Sequence, residues 1–280
     1  MSVISGMFDR SQVRFHHGKP VSGPRFTQCV EESHVSTRRW HPQNIDVVFS
    51  RGVPKINLLV LSGHCPDALL CVLEKYFQDH RSDSLLQRHA LQQFLTTKEK
   101  QLKSRAPLES KSIFKTYYDA LDTIFFFGSL KDLCKISICP PRSLGRNRVG
   151  QFINFGVTGR DGYAGLIELE DTTERFVDPG VHTRKWRVHD YIETLLHEML
   201  HAYFDIFACI CHARCERRKA RALGTSGHGT AWQWAALAIE EKSGDLFFKK
   251  FDMCREPSWN LESAAYRDGA VHRQTWGFEK

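Results

Sequence analysis

The pentapeptide His-Glu-Met-Leu-His at residues 197–201 holds the side chains of this chain that are best suited to chemistry. In an α-helix of about 3.6 residues per turn, side chains at positions i and i+4 lie on the same face. His197 and His201 can therefore bind one cation from a rigid element. The carboxylate of Glu198 lies beside them, where it can hold and deprotonate a water on that cation. This pattern is the signature of a zinc-dependent peptidase. The simpler alternative is an amphipathic helix with two ordinary polar histidines.

A catalytic zinc of this kind takes a third protein ligand and leaves its fourth position to water. The best candidate is His228, because Gly227 and Gly229 let the backbone turn sharply and approach closely. The alternative for His228 is a turn histidine near a helix N-cap. Weaker candidates for the third ligand are His182, His189 and His212.

Two predicted helices position these residues. Asp190 and Glu193 have the spacing of a capping box, which predicts that the first helix begins there. Apolar residues within 191–204 recur with helical period, so we expect this helix to be buried. A second helix is expected to follow His228 and to end near Gly244.

The metal-binding pattern resembles that of the SprT-like metalloprotease domain family, which includes Spartan-like proteins. The similar residues are Glu193-Thr-Leu-Leu-His-Glu-Met-Leu-His-Ala-Tyr203 and, downstream, Gly227-His228-Gly229. Residues 113–130 and 134–138 look like the opening helix, glycine turn and first strand of that domain. The resemblance covers residues 112–245, roughly half of the chain.

The resemblance implies specific roles for residues of this chain. His197, His201 and His228 would bind Zn²⁺, and Glu198 would be the general base. The substrates would be proteins and, for Spartan-like members, proteins trapped covalently on DNA. DNA is therefore an expected partner, and the nucleus an expected location.

Two features depart from the Spartan pattern. The C-terminal part has no pair of closely spaced cysteines to build a small zinc-binding subdomain. The segment between His201 and His228 is also longer, and it contains Cys209, Cys211, His212 and Cys215. These four residues have the chemistry of a structural zinc site or a redox cluster. We favour the alternative that they are small buried residues on a continued helix, where they are too crowded to surround one ion.

Basic residues form two candidate surfaces for DNA. One is a run close to the cysteines and consists of Arg214, Arg217, Arg218, Lys219 and Arg221. The other lies around the predicted strands and consists of Arg142, Arg146, Arg148 and Arg160. The first could contact phosphates or serve as an import signal. The default for both is a solvated face, and a net charge of +7 is compatible with DNA without requiring it.

The chain divides into predicted segments. Residues 1–50 are expected to be largely irregular, and 51–111 to form a helical extension. The metalloprotease domain would span 112–245, followed by a C-terminal tail over 246–280. Within the extension we expect a short strand at 56–61 and helices at 66–79 and 83–103.

The predicted fold class is α+β. A helical stripe at 113–125 precedes candidate strands at 135–138, 151–157 and 163–169, and the metal helix follows. This order predicts a small, mainly antiparallel sheet packed against helices, with an HExxH helix as in zincins. An edge strand of such a sheet can bind an extended substrate.

Composition limits the class of protein. The 280 residues are 41% hydrophobic and 25% charged, which is typical of a globular protein. No apolar stretch reaches the length of a membrane span, and none resembles a secretory leader. We therefore expect an intracellular monomer with reduced cysteines.

Three functions agree with these patterns. The leading hypothesis is a zinc-dependent endopeptidase of the SprT-like kind. The second is a zinc-stabilised module that binds DNA or protein and has little or no catalytic activity, against which the intact Glu198 argues. The third is another zinc hydrolase, such as an aminopeptidase, with a glutamate as third ligand.

Overall fold

The computed structural model describes residues 59, 61–78, 85–145, 148–156, 159–173, 184–264 and 273–278. Their elements, in chain order, are α1 Pro66–Gln78, α2 Leu85–Lys103, α3 Lys111–Phe125, β1 Cys134–Cys139, β2 Gly150–Asn154, β3 Gly165–Glu170, α4 Arg184–Phe207, α5 Ala213–Leu223, α6 Thr230–Phe247, α7 Arg255–Ser263 and a 3-10 turn at Arg273–Trp276. The α+β class is confirmed. No helix in these ranges is long and apolar enough to cross a membrane.

The sheet has the strand order β1-β3-β2 and is mixed. β3 pairs in parallel with β1, where Ile136 faces Ile167, and antiparallel with β2, where Phe152 faces Ile167. The prediction of a mainly antiparallel sheet is therefore wrong. The prediction followed from the order of the strands before the metal helix, and this order does not show how β3 pairs. β3 forms an antiparallel pair with β2 and inserts beside β1 in the same direction. The last strand in sequence is thus the central one, and β1 and β2 are the edges.

The helix α4 begins at Arg184, so the prediction of a helix start at Asp190 is wrong. The apolar pattern continues upstream through Val188, whose side chain is buried, and this packing extends the helix past the capping box. Glu193 does not cap the helix. Its carboxylate instead accepts a hydrogen bond of 3.2 Å from the backbone N–H of Asp252. The helix is buried on several faces, as expected.

The helices α1, α2 and α3 lie close to their predicted positions. In α2, Phe94 is buried, whereas Leu85 and Leu86 are exposed. The predicted strand at 56–61 lies mostly outside the described residues. Just after it, His64 forms an isolated parallel bridge with Ala208, at the end of α4. The predicted strand at 151–157 ends at Asn154.

One hydrophobic core joins most of these elements. It includes Leu73 from α1, Phe94 from α2, Ile167 from the sheet and Met199 from α4. Met253, which follows α6, belongs to the same core. Residues assigned to the extension, the protease domain and the tail thus pack together around α4. The boundaries near residues 50, 111 and 245 stay predictions, and residues 1–50 lie outside the described part of the chain.

Candidate metal centre

Three imidazoles meet beside the buried helix α4. The Nε2 atoms of His197 and His201 are 3.1 Å apart, and each lies within 3.1 Å of the Nε2 atom of His228. A tetrahedral zinc with Zn–N bonds of about 2.1 Å requires nitrogens about 3.4 Å apart. The triangle agrees with that spacing to within a few tenths of an ångström, so the three donors fit a zinc ion. We call these three residues the histidine centre.

A sharp turn brings His228 back to α4. The chain leaves α5 at Leu223, and Gly227 takes a φ of +85°, which favours glycine. A Cβ atom on Gly227 would lie 3.2 Å from the ring of His201, so the backbone passes close to this imidazole. His228 then stands just before α6, which begins at Thr230. The predicted position of His228 at the entrance of a second helix is confirmed.

Backbone and side-chain acceptors fix the tautomers of two of the three histidines. The Nδ1 atom of His197 lies 3.0 Å from the carbonyl oxygen of Met253, which can only accept, so Nδ1 carries the proton. The Nδ1 atom of His228 lies 3.0 Å from Oγ of Ser226. The Ser226 hydroxyl donates to the carboxylate of Glu262, so it accepts from His228. Both histidines therefore present the lone pair of Nε2 to a cation.

Glu262 anchors the loop that carries His228. Its carboxylate is fully buried and accepts backbone hydrogen bonds from Thr225, at 2.6 Å, and from Ser226, at 2.7 Å. It also accepts from both side-chain hydroxyls. The sequence placed Glu262 in the tail, and no local pattern connects it with His228. Tertiary packing alone makes it part of the site.

Trp232 forms the floor of the histidine centre. Its indole is fully buried, and its ring centroid lies 4.8 Å from that of His197 and 4.7 Å from that of His228. It stacks on His201 at an interplanar angle of 23°. The wide ring limits the rotation of all three imidazoles and keeps water from one side of them.

Burial controls the charge of the three histidines. It lowers the pKa of His197 to about 4, against the opposing effect of the Met253 carbonyl. It also holds the pKa of His201 and His228 well below the usual range of histidine. All three rings are therefore neutral near pH 7, and the neutral ring is the form that binds metals.

Glu198 is buried on the same helix and faces the edge strand β2. It accepts a hydrogen bond from the backbone N–H of Phe152. The approach is close at Gly150, where a Cβ atom would lie 2.6 Å from Thr194 and 3.0 Å from Glu198. Burial raises the pKa of Glu198 to about 8, against the charge of Arg148. A divalent cation in the histidine centre would favour the carboxylate form.

The weaker candidates for a third ligand lie elsewhere. His189 is on α4 but outside the histidine centre. His212 caps α5, and its Nδ1 atom accepts a hydrogen bond from the backbone N–H of Arg214. His182 lies outside the described residues.

The cysteines after α4 form a second group. The prediction that they lie on a continued helix is wrong, because α4 ends at Phe207 and α5 begins at Ala213. Cys209 and Cys211 lie in the connection, whereas Cys215 is in the first turn of α5. Their Sγ atoms lie within 4.8 Å of one another. Burial and the two neighbouring thiols raise the pKa of Cys215 to about 11, so a nucleophilic thiolate is not expected there. We call this group the cysteine cluster.

The two basic surfaces stay predictions. On α5, Arg214 and Arg217 are exposed, while Lys219 pairs with Asp205 at 2.5 Å. In the other group, Arg146 lies outside the described residues, and Arg148 is exposed while its charge also acts on Glu198.

Comparisons of the chain with known protein families, with curated proteins and with solved structures found no match. The resemblance to the SprT-like family therefore depends on the residues that carry it. The geometry of the histidine centre is an independent observation, because it follows from the fold of this chain.

Proposed function

We propose that this protein is a zinc-dependent metalloendopeptidase of the SprT-like, zincin kind. The observation that carries the proposal is the convergence of the three Nε2 atoms of the histidine centre, with a buried glutamate on the same helix. Glu198 is not one of the clustered donor atoms, so it is free for another role. A structural metal site has no need of such a carboxylate.

The donors favour zinc. Neutral imidazoles suit Zn²⁺ and other borderline transition metals, whereas Mg²⁺ and Ca²⁺ take oxygen ligands. Three protein ligands are typical of a catalytic zinc, whereas structural sites usually have four. When bound, zinc would act as a Lewis acid on the substrate carbonyl and lower the pKa of a water molecule at its open position.

Glu198 would act as the general base. It follows His197 directly on α4 and is buried. Near a cation, its carboxylate would be charged and able to accept a proton from the attacking water. The hydrogen bond from Phe152 holds it in place. Glu198 would then pass the proton to the departing amine, which completes amide hydrolysis.

The edge strand β2 supports an endopeptidase. Among the described residues it has β3 on one side only, and its outer edge faces Glu198. The N–H of Phe152 already donates to Glu198, so a substrate would pair with the other outward-facing backbone groups of β2. An extended polypeptide can add to such an edge by main-chain hydrogen bonds. Because strand addition needs no chain end, the substrate can continue past the site in both directions. This favours an endopeptidase over an aminopeptidase.

Proteins crosslinked or tightly bound to DNA are the proposed substrate class. This part of the proposal rests on the resemblance to Spartan-like proteins and on the exposed arginines of α5. Substrates bound to DNA would place the protein in the nucleus. The alternative function is a zinc-stabilised module that binds DNA or protein. The presence of Glu198 argues against this alternative, because a structural metal site does not need its carboxylate.

The test compares wild type with Glu198→Gln, a variant of the same size that cannot accept the proton. A DNA-binding protein is the substrate, with and without DNA. We expect cleavage by wild type, a loss of about 10²–10⁴-fold in the variant, and the same zinc content in both. Equal cleavage by the two proteins would overturn the proposed mechanism. Zinc in both with no cleavage in either would favour the binding module.

A further inference from the structure

The three Sγ atoms of the cysteine cluster are close enough to one another to share one cation. Sγ of Cys211 lies 3.0 Å from Sγ of Cys209 and 3.8 Å from Sγ of Cys215. A tetrahedral zinc with Zn–S bonds of about 2.3 Å requires sulfurs about 3.8 Å apart. The distance between Cys211 and Cys215 matches this value, whereas Cys209 and Cys211 would have to separate by about 0.8 Å on binding. A disulfide needs about 2.05 Å, so none of these pairs is bonded. Three thiols that face one another differ from cysteines packed singly in a core.

The local backbone builds this arrangement. The N–H of Cys209 donates to the carbonyl of His64 at 2.7 Å, which fixes the chain as it leaves α4. The N–H of Cys211 lies 3.4 Å from Sγ of Cys209. His212 then caps α5, so that Cys215 faces back toward the connection. The spacing of the three cysteines thus matches a turn followed by the first turn of a helix.

His212 does not complete the site as a fourth ligand. Its Nδ1 atom accepts from the N–H of Arg214, so in the neutral ring Nε2 carries the proton and has no lone pair to give. The cluster of donor atoms holds three sulfurs. Because Cys211 is exposed, a fourth position is open to solvent.

We infer that Cys209, Cys211 and Cys215 bind a second, thiophilic cation, Zn²⁺, at a site separate from the histidine centre. Soft thiolate ligands select zinc over hard cations. On binding, each thiol releases its proton to solvent, and three Zn–S bonds form without a change in oxidation state. A water takes the fourth position.

The position of the site in the chain indicates what it does. It joins the end of α4, which carries two ligands of the histidine centre, to the start of α5. At its other end, α5 leads into the loop that carries His228. A cation at the cysteine cluster would therefore hold the whole connection between the second and third ligands. This inference does not depend on peptidase activity.

The experiment measures zinc in the full-length protein by elemental analysis. The variants are Cys211→Ser/Cys215→Ser and, as a matched control away from both sites, Cys71→Ser. We expect about two zinc ions per chain in wild type and in the control, and about one in the double variant. Equal zinc content in the double variant and the control would overturn the inference.

Cobalt substitution separates the two sites. A Co²⁺-loaded protein with thiolate ligands absorbs in the near ultraviolet through charge transfer from sulfur. We expect this band in wild type and in His201→Ala, and its loss in Cys211→Ser/Cys215→Ser. A band missing from wild type, or kept in the cysteine variant, contradicts the proposed site. If the cysteine cluster binds metal but the histidine centre does not, His201→Ala has the same metal content as wild type.

Discussion

The histidine centre and the cysteine cluster are built in different ways. Two histidines lie on the long helix α4 and the third lies on the loop just before α6. They are held by Met253 and Ser226 and rest on the buried ring of Trp232. The cysteines come from one connection and one helical turn, and Cys211 is exposed. The first site depends on the whole fold, whereas the second depends on a short segment. The first site is preorganised by packing from several elements, whereas a cation in the second would tie one connection to one helix.

The largest expected effect follows from removing the third ligand. His228→Ala leaves two imidazoles, so we expect loss of the catalytic zinc and a fall in peptidase activity of about 10³-fold or more. The sulfur-to-cobalt band of the cysteine cluster should remain. Zinc content and activity are measured on the same sample. Full activity in this variant would show that His228 is not a ligand.

A smaller effect is expected from changing Glu262, which anchors the loop that carries His228. Glu262→Gln keeps the size but loses the charge that binds the N–H groups and hydroxyls of Thr225 and Ser226. Outer-shell partners of this kind typically affect metal affinity by about 10–100-fold. We expect weaker zinc binding in competition with a chelator and a matching loss of activity at limiting zinc. As a control, Glu256→Gln removes a carboxylate that pairs with Arg273 at the surface. Equal zinc affinity in both variants would contradict the anchoring role.

The residues of these two predictions differ in whether the sequence alone could identify them. The histidine spacing on one helix and the position of His228 before another could be predicted, because both are local patterns. Glu262 and Met253 could not, since nothing in their own segments points to residues so distant in sequence. The break after Phe207 was missed because apolar residues continue past it. The mixed sheet could not be predicted, because nothing in the strand sequences shows that β3 pairs with β1 as well as with β2.

The turn at Gly227 offers a backbone test. Gly227→Ala places a side chain at a φ of +85° and 3.2 Å from the ring of His201. Gly162→Ala is a matched control, because its φ is +82° and a Cβ atom there meets nothing within 4 Å. Each should lose about 1 kcal/mol of unfolding free energy from backbone strain. We expect Gly227→Ala alone to weaken zinc binding as well. If both variants bind zinc like wild type, the close approach does not matter.

The smallest effect is on acid stability outside both sites. Burial and the nearby lysines lower the pKa of His189 to about 4. Its unfolded form binds a proton below pH 6.5, whereas the folded form does so only near pH 4. Its contribution to stability is therefore present above pH 6.5 and is lost as the pH falls toward 4. As the pH falls between these limits, the free energy of unfolding of His189→Gln should decrease by about 1 kcal/mol less than that of wild type. Chemical unfolding at several pH values measures this difference. Parallel pH profiles would contradict this account.

The most direct test of the central claim is a crystal structure with data collected on both sides of the zinc absorption edge. We expect an anomalous peak about 2.1 Å from the Nε2 atoms of His197, His201 and His228, with the Glu198 carboxylate outside the ligand sphere. Well-ordered histidines without a zinc peak between them would contradict it. So would a peak at which Glu198 replaces His228 as a ligand.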